Sequence, residues 1–310
     1  MRDFQGKVAF ITGGVSGIGL GVAKAFVDAG MSVAISYRRQ DHLDEALAYF
    51  TARGQRARVH PIALDVTDRD AMARAADEVE REFGWVHVLV NNAGISVFGA
   101  ADEATYDDYD WIMGVNFGGT VNGLVSFIPK IKAHGEGGHV VNVASMASFL
   151  PGPQAGVYTA SKFAVRGLTE CLRDNLAPYD IGVSLVTPAL VKTNAFESAL
   201  GRPEKFSRTN VPVTREAVEQ MKSVFDVGMD PTEVGTKILR GMQRNELYII
   251  THPENKDETR ALCDDILAAF PDEPIDPGRE AIEEMRRQAK RDARARKIGI
   301  GDLVSPPPKE

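Results

Sequence analysis

Two side chains in the segment VYTASKFAVRG could do acid–base chemistry together: Tyr158 and Lys162, four residues apart and on one face of a helix. A free phenol has a pKa near 10 and is slow to give up and recover its proton at neutral pH. An ammonium beside it stabilises the phenolate, and a depression of about two units corresponds to roughly 2.7 kcal/mol. Tyr/Lys pairs at this spacing are common on helix surfaces, so the pair alone defines nothing. Upstream stand two more polar candidates, Asn116 in MGVNFGG and Ser145 in NVASMAS, and a glycine-rich run, TGGVSGIGLG, at residues 12–21. Glycines let a backbone approach a ligand closely, and helix N-terminal N–H groups receive phosphate. The same run could also be a tight strand-to-helix turn that binds nothing.

These residues need elements to hold them. KVAFIT, SVAIS, VHPIALDV, VHVLVN, GHVVNVAS, IGVSLVTP and ELYII read as buried strands. Helical patterns run over 17–29, 41–53, 68–83, 105–133, 157–178 and 231–244, with Pro129 expected to kink or end the fourth. Strand–helix alternation predicts an α/β fold: a Rossmann-type, doubly wound parallel sheet of about seven strands with helices on both faces. One domain is expected over residues 1–251, with a C-terminal extension over 252–310. Two stretches break the alternation. Residues 194–230 have the length of a lid or binding loop. Residues 252–310 contain a possible helix (DETRALCDDILAAF), a charged segment (EEMRRQAKRDARARK) and a terminal SPPPKE with the composition of a disordered tail.

The glycine spacing, Gly13 then Gly17 then Gly19, is not the general dinucleotide fingerprint G-x-G-x-x-G. The pattern TGxxxGIG, followed in order by NNAG at Asn91, Asn92, Ala93 and Gly94, then Asn116, Ser145 and YxxxK, resembles the short-chain dehydrogenase/reductase family over roughly residues 6 to 250. The resemblance implies a hydride exchanged between a nicotinamide cofactor and an alcohol or ketone. Tyr158 would be the general acid in reduction and the base in oxidation. Lys162 would lower its pKa and bind the nicotinamide ribose, Ser145 would hydrogen-bond the carbonyl oxygen, and Asn116 would hold a relay water. Cofactor contacts are implied at Gly13, Ser16, Gly17, Ile18, Gly19, Asp65, Val66, Asn92, Ala93, Gly94, Tyr158 and Lys162. They are implied also at Pro188, Val191 and Thr193, although Ala189 stands where relatives commonly carry glycine. Taken singly, Asp65 could equally be a helix N-cap and NNAG a turn.

The second strand ends in Ser36-Tyr37-Arg38-Arg39. In a dinucleotide fold this position meets the adenosine ribose, where an acid binds the 2′-hydroxyl of NAD. Here Tyr37 takes the place where NAD-preferring relatives often carry Asp, and Arg38, with Arg39 or Ser36, offers donors to a 2′-phosphate. NADP(H) is therefore favoured over NAD(H). The segments GGHVVNVASMASF, SKFAVRGLTE and NELYIITHPE resemble a subgroup that includes bacterial aryl-ether Cα-dehydrogenases, whose better-known members use NAD. Phe196, Leu200, Phe206, Val211 and Phe225 could form an apolar lid over a bulky, aryl-type substrate, or pack on a core of their own. An NAD-dependent benzylic oxidation is the alternative reading. A cofactor-binding scaffold is another, with the basic segment 286–297 as its contact, and the intact Asn/Ser/Tyr/Lys set argues against it.

The chain has 310 residues, 44% hydrophobic, with a net charge of -7. That balance weighs against nucleic acid or an anionic membrane as partner. Two cysteines fit a reducing, cytoplasmic setting and lack metal-ligand spacing with the six histidines, so no metal site is expected. No apolar run looks long enough to span a bilayer. A homodimer or homotetramer is implied by resemblance, through the helical stretches 105–133 and 157–178.

Overall fold

The computed structural model describes residues 3–210 and 214–294; the expected tail ending SPPPKE and the lid residue Val211 lie outside the described residues. The chain runs β1 (Val8–Ile11), α1 (Gly17–Asp28), β2 (Ser32–Tyr37), α2 (Gln40–Ala52), β3 (Val59–Ala63), α3 (Arg69–Phe83) and β4 (Val88–Asn91). It continues through α4 (Tyr106–Met113), α5 (Gly119–Ala133), β5 (Gly138–Val143), α6 (Gly156–Leu176) and β6 (Ile181–Thr187). The last elements are α7 (Arg215–Asp226), α8 (Pro231–Gln243), β7 (Tyr248–Ile250), α9 (Lys256–Ala268) and α10 (Pro277–Arg294).

The seven strands form one parallel sheet in the order β3-β2-β1-β4-β5-β6-β7. β1, β4, β5 and β6 are buried at every position, which is why they read as unbroken Val/Ile runs rather than alternating ones. One face carries α1, α2 and α8 over Val22, Phe26, Phe50 and Ile238. The other carries α3, α5 and α6, where Phe10 and Phe127 stack with ring centres 4.4 Å apart. Strand order reverses between β1 and β4, and the crevice beyond their C-terminal ends is where such sheets bind ligands. The glycine run leaves β1 there and NNAG leaves β4.

Helix 105–133 differs from expectation in three ways. It is two α-helical segments joined by a π-helical turn at Gly114–Gly118, which contains Asn116. Pro129 lies inside α5 without ending it. Its ring leaves the Val125 carbonyl without a donor, and Val125 is on the exposed side of the helix, where water can serve it. Finally, the whole stretch Tyr106–Ala133 is 28 residues long and apolar enough by length and composition to cross a membrane, contrary to the sequence reading. Its apolarity has a structural use: 56% of the most apolar window is buried in the protein, with Leu124, Phe127 and Ile131 in the core.

The lid begins as short 3₁₀ turns, Asn194–Gly201 and Glu204–Phe206, and continues into α7. It is tied to α4. Arg202 pairs with Asp108 at 2.6 Å and covers the Trp111 ring, while Arg208 pairs with Asp107 at 2.7 Å. Thr105 donates to the Arg208 carbonyl at 2.7 Å and also closes a capping box with Asp108. As far as Arg294, the charged segment of the extension lies in α10, laced by pairs such as Arg286–Glu283 and held to α6 through Lys290 and Asp174.

Candidate active site

The glycine run keeps its shape through contacts that only glycine permits. Gly13 adopts φ 64°, and a Cβ on Gly19 would sit 2.1 Å from the Gly13 carbonyl oxygen. The Gly13 N–H donates to Ser36 Oγ at 2.9 Å, which binds the loop to β2. Thr12 Oγ1 accepts from the N–H groups of Asn92 and Ala93, both at 2.9 Å, which binds it to β4. Ser16 is the N-cap of α1, yet its hydroxyl makes no capping bond. First-turn N–H groups of α1 therefore remain available to an anion.

Around this loop opens a cleft of about 570 Å³. Of the residues expected to bind cofactor, Gly13, Ser16, Gly17, Ile18, Arg38, Arg39, Val66, Asn92, Ala93, Gly94, Tyr158, Lys162 and Thr193 line it. Gly19, Asp65, Pro188 and Val191 do not. Gly19 is used up in packing against Gly13. The Asp65 carboxylate accepts from the Thr67 N–H and hydroxyl at 2.9 and 2.8 Å, and lies 3.8 Å from Arg38. It is not a helix cap, since Asp68 caps α3 by accepting from the Ala71 N–H. Val191 is buried in the core. Pro188 works behind the cleft, its carbonyl accepting from the Met146 N–H at 2.8 Å and from the Ser145 hydroxyl at 3.4 Å.

At one end of the cleft α6 presents Tyr158 on its first turn, with Lys162 one turn on. The Tyr158 hydroxyl is hydrogen-bonded to Ser145, and burial holds its pKa above the ordinary phenol value while the Ser145 bond pulls it down. Lys162 is buried; its ammonium donates to the Val143 carbonyl at 3.2 Å, and desolvation lowers its pKa to about 8. The sequence reading expected Lys162 to depress the phenol. Among the groups of the chain itself burial dominates, so the shift runs the other way. Asn116 is fully buried and its amide is committed. Oδ1 accepts from the Ile95 N–H at 2.8 Å, and Nδ2 donates to the Ile95 carbonyl and to Ser161, each at 3.0 Å. The Asn116 side chain thereby fixes the loop after β4 against α6.

At the other end, Arg38 projects into the cleft mouth, with its side chain 56% exposed. Arg39 is already engaged. Its guanidinium grips Asp41 with bonds of 3.1 and 2.5 Å, pulling that carboxyl down to about 2, and comes within 3.8 Å of Glu197 on the lid. Ser36 is buried at the lining of the cleft, where its Oγ accepts from the Gly13 N–H; a hydroxyl in that role still has its own proton to donate.

Sequence reading missed the lid's share of the cleft: Asn194, Ala195, Glu197, Ser198 and Gly201 line it beside Leu200. Of the four nominated apolar residues that are described, Phe196, Leu200, Phe206 and Phe225, Leu200 alone is in the lining. Phe196 and Phe225 pack on each other at 5.3 Å, and Phe206 joins the core. His252 was also missed. It is buried after β7, where Nδ1 accepts from the Ala189 N–H at 3.1 Å and Nε2 donates to the Leu190 carbonyl at 2.9 Å. That grip sets the backbone at the position where glycine is usual. Elsewhere, His87, His134 and Glu136 bring ligand-type atoms within 4.8 Å of one another. The N–H groups of Val8 and Glu136 already occupy the imidazole lone pairs of His87 and His134, and Lys7 holds the carboxylate.

A doubly wound sheet with a glycine loop at its switch point and a Ser–Tyr–Lys cluster at the far end of one cleft defines a dinucleotide-dependent oxidoreductase. Comparison with known proteins agrees: residues 7–202 match the family model for short chain dehydrogenases, and the chain belongs to that family. It is 43% identical over 255 residues to a C alpha-dehydrogenase of Sphingobium sp. strain SYK-6, covering 82% of this chain and 83% of that one. Among solved structures, a short-chain dehydrogenase from Novosphingobium aromaticivorans matches with a TM-score of 0.81 and 39% identity, over 96% of this chain and all of that one (100%). A Burkholderia phymatum short-chain dehydrogenase/reductase in complex with NAD matches at 0.80 and 33%, over 89% of this chain and 100% of that one. The chain is thus a dehydrogenase/reductase of the NAD(P)-binding kind, and the unspent N–H groups at the start of α1 and the close-packed glycines fit such a cofactor.

Proposed function

We propose that this enzyme interconverts a bulky apolar secondary alcohol, aryl alcohols included, and its ketone, with NADP(H) as the preferred cofactor, in the cytoplasm. The observation that carries the reading is the extent of one cleft: the Tyr158 hydroxyl and Lys162 lie at one end, Arg38 at the other, and the lid crosses between them. When bound, the cofactor supplies or accepts the hydride at carbon. The protein handles the proton. In reduction Tyr158 gives its phenolic proton to the developing alkoxide oxygen, and in oxidation the phenolate takes it from the alcohol. Ser145 donates to the same oxygen and sets its angle. Lys162, charged below about pH 8, opposes the negative charge left on the phenolate. Ile95, Val143, Ala144 and Leu200 give the substrate end apolar walls that exclude water and suit a large ring.

The cofactor preference rests on Arg38, which among the described residues has no acid nearer than Asp65 at 3.8 Å and can turn its fork to a 2′-phosphate. A second reading, NAD-dependent oxidation of a benzylic alcohol, draws on the 43% identity to the C alpha-dehydrogenase and on the relative in complex with NAD. Fluorescence titrations with NADPH and NADH at equal salt separate the two. Tenfold or tighter NADPH binding supports the first and directs the search to bulky ketones; tighter NADH binding replaces it with the second.

A further inference from the structure

Among the described residues one carboxylate lines the cleft, and it is on the lid: Glu197. The end of β2, where a dinucleotide fold places the acid that meets the adenosine ribose, carries Tyr37 and then Arg38 instead. The neighbours of Glu197 set its position. Phe196 is buried and packs on Phe225, with ring centres 5.3 Å apart. Ser198 accepts from the Ser96 N–H at 3.3 Å and donates to the Ala195 carbonyl at 2.7 Å, which ties the lid to the loop after β4. Glu197 lies between a residue packed inward and one tied to that loop. It is left at the cleft wall, with its side chain 40% exposed.

The Glu197 carboxylate comes within 3.8 Å of the Arg39 guanidinium, so the pair bridges the lid and the start of α2. That separation is too long for a hydrogen bond. Arg39 spends its short bonds on Asp41, at 3.1 and 2.5 Å. Asp41 first, then Glu197 and Glu45 by charge alone, raise the Arg39 pKa above its ordinary value. The other charged or titratable groups at this end are Arg38, with Asp65 3.8 Å away, and His42 in the lining. Glu197 is thus an acceptor beside the two arginines that face the adenosine end.

We infer that Glu197 is a second determinant of cofactor choice, set against Arg38: it disfavours the 2′-phosphate of NADP(H) and leaves NAD(H) nearly untouched. The inference rests on the function proposed above, in which the Arg38 end of the cleft receives the adenosine ribose. A phosphate monoester brings a charge of about −1.5 to −2 at pH 7. Arg38 attracts that charge, whereas the Glu197 carboxylate repels it and takes part of the Arg39 field for itself. A 2′-hydroxyl has no charge to repel and donates readily to a carboxylate. The chain therefore carries a group suited to each cofactor on separate elements, the cation after β2 and the acid on the lid. Their balance, and not Arg38 alone, sets the preference.

Fluorescence titrations of the full chain with NADPH and NADH, wild type against Glu197→Gln, test this. The substitution keeps the size of the side chain and removes its charge. NADPH should bind about tenfold more tightly than to wild type, while NADH stays within about threefold. The gain should shrink below about threefold in roughly 0.5 M salt, because exposed charges are screened. Glu197→Lys should move the ratio further in the same direction. An unchanged NADPH-to-NADH ratio at low salt overturns the inference. So does equal weakening of both cofactors, which would make Glu197 a part of the lid's structure only. The wild-type preference is a separate result: tighter NADH binding there removes the NADP(H) reading, while a shift toward NADPH in Glu197→Gln still upholds the role of Glu197.

Discussion

Lys162 Nζ stands 5.6 Å from the centre of the Tyr158 ring, yet it gives its hydrogen bond to the Val143 carbonyl on β5, 3.2 Å away. The ammonium is thus anchored to the sheet rather than to the phenol, and Tyr158 is bonded instead to Ser145. The lysine acts on the tyrosine by its charge across a short gap, from a position that the tyrosine's own movement does not disturb.

Removing the phenol should isolate the proton step. Tyr158→Phe keeps the ring and its packing, so NAD(P)H binding by fluorescence should stay within about threefold. Turnover should fall by about a hundredfold or more, the usual contribution of a positioned acid–base group. Retention of a substantial fraction of the wild-type rate would remove Tyr158 from that role.

Burial of Lys162 has a stability cost with a definite pH window. Its folded pKa is lowered to about 8, below the unfolded value, so the charged form is penalised in the fold. Between about pH 8 and 10.5 the unfolded chain binds the proton and the native one does not, and wild-type stability rises with pH there. Lys162→Met should therefore stabilise the protein at pH 7 by a few kcal/mol, and the gain over wild type should shrink as pH passes through that window. Thermal melts at a series of pH values read this directly. Activity should be lost at every pH.

Arg38→Ala should weaken NADPH binding by about ten- to a hundredfold, the worth of one charge-assisted hydrogen bond, and leave NADH nearly unchanged. Equal weakening of both cofactors would assign Arg38 to another task. Because Arg39 is gripped by Asp41, Arg39→Ala should have the smaller effect of the two on NADPH.

The lid depends on a largely buried ion pair. Arg202→Ala leaves Asp108 without its guanidinium and Trp111 without its cover, and breaking such a pair costs about 3–5 kcal/mol. Limited proteolysis should then cut within 194–210 at rates the wild type resists, and KM for a bulky ketone should rise more than kcat falls.

The elements and the site were legible in the sequence to different depths. Seven short apolar runs mark seven strands, and the central four, β1, β4, β5 and β6, are buried throughout because a parallel sheet covered on both faces asks for it, whereas edge strand β7 leaves Tyr248 and Ile250 exposed. Helix limits were readable within a residue or two where Asp68 and Asp230 cap the first turn, whereas α7, inside the stretch read as a lid or loop, was not read as a helix. Pro129 does not end its helix, since an exposed proline can be tolerated where water serves the orphan carbonyl. The lid misled: Phe196, Phe206 and Phe225 have the composition of a substrate wall, and only packing decides that they face each other or the core.

By itself the sequence determined what chemistry is present and in what order: a glycine loop with Gly13, Gly17 and Gly19, two arginines after β2, and Ser145, Tyr158 and Lys162 beyond. Local spacing carries that information, because backbone conformation and residue type suffice for it. Tertiary structure alone decided which of these groups are free to act. Ser36 Oγ accepts from the Gly13 N–H, Arg39 is held by Asp41, the Asn116 side chain by Ile95 and Ser161, and the phenol's pKa is raised by burial. Each of these outcomes turns on hydrogen bonds and desolvation between segments from 2 to 45 residues apart, and a linear pattern does not record which neighbour reaches a donor first.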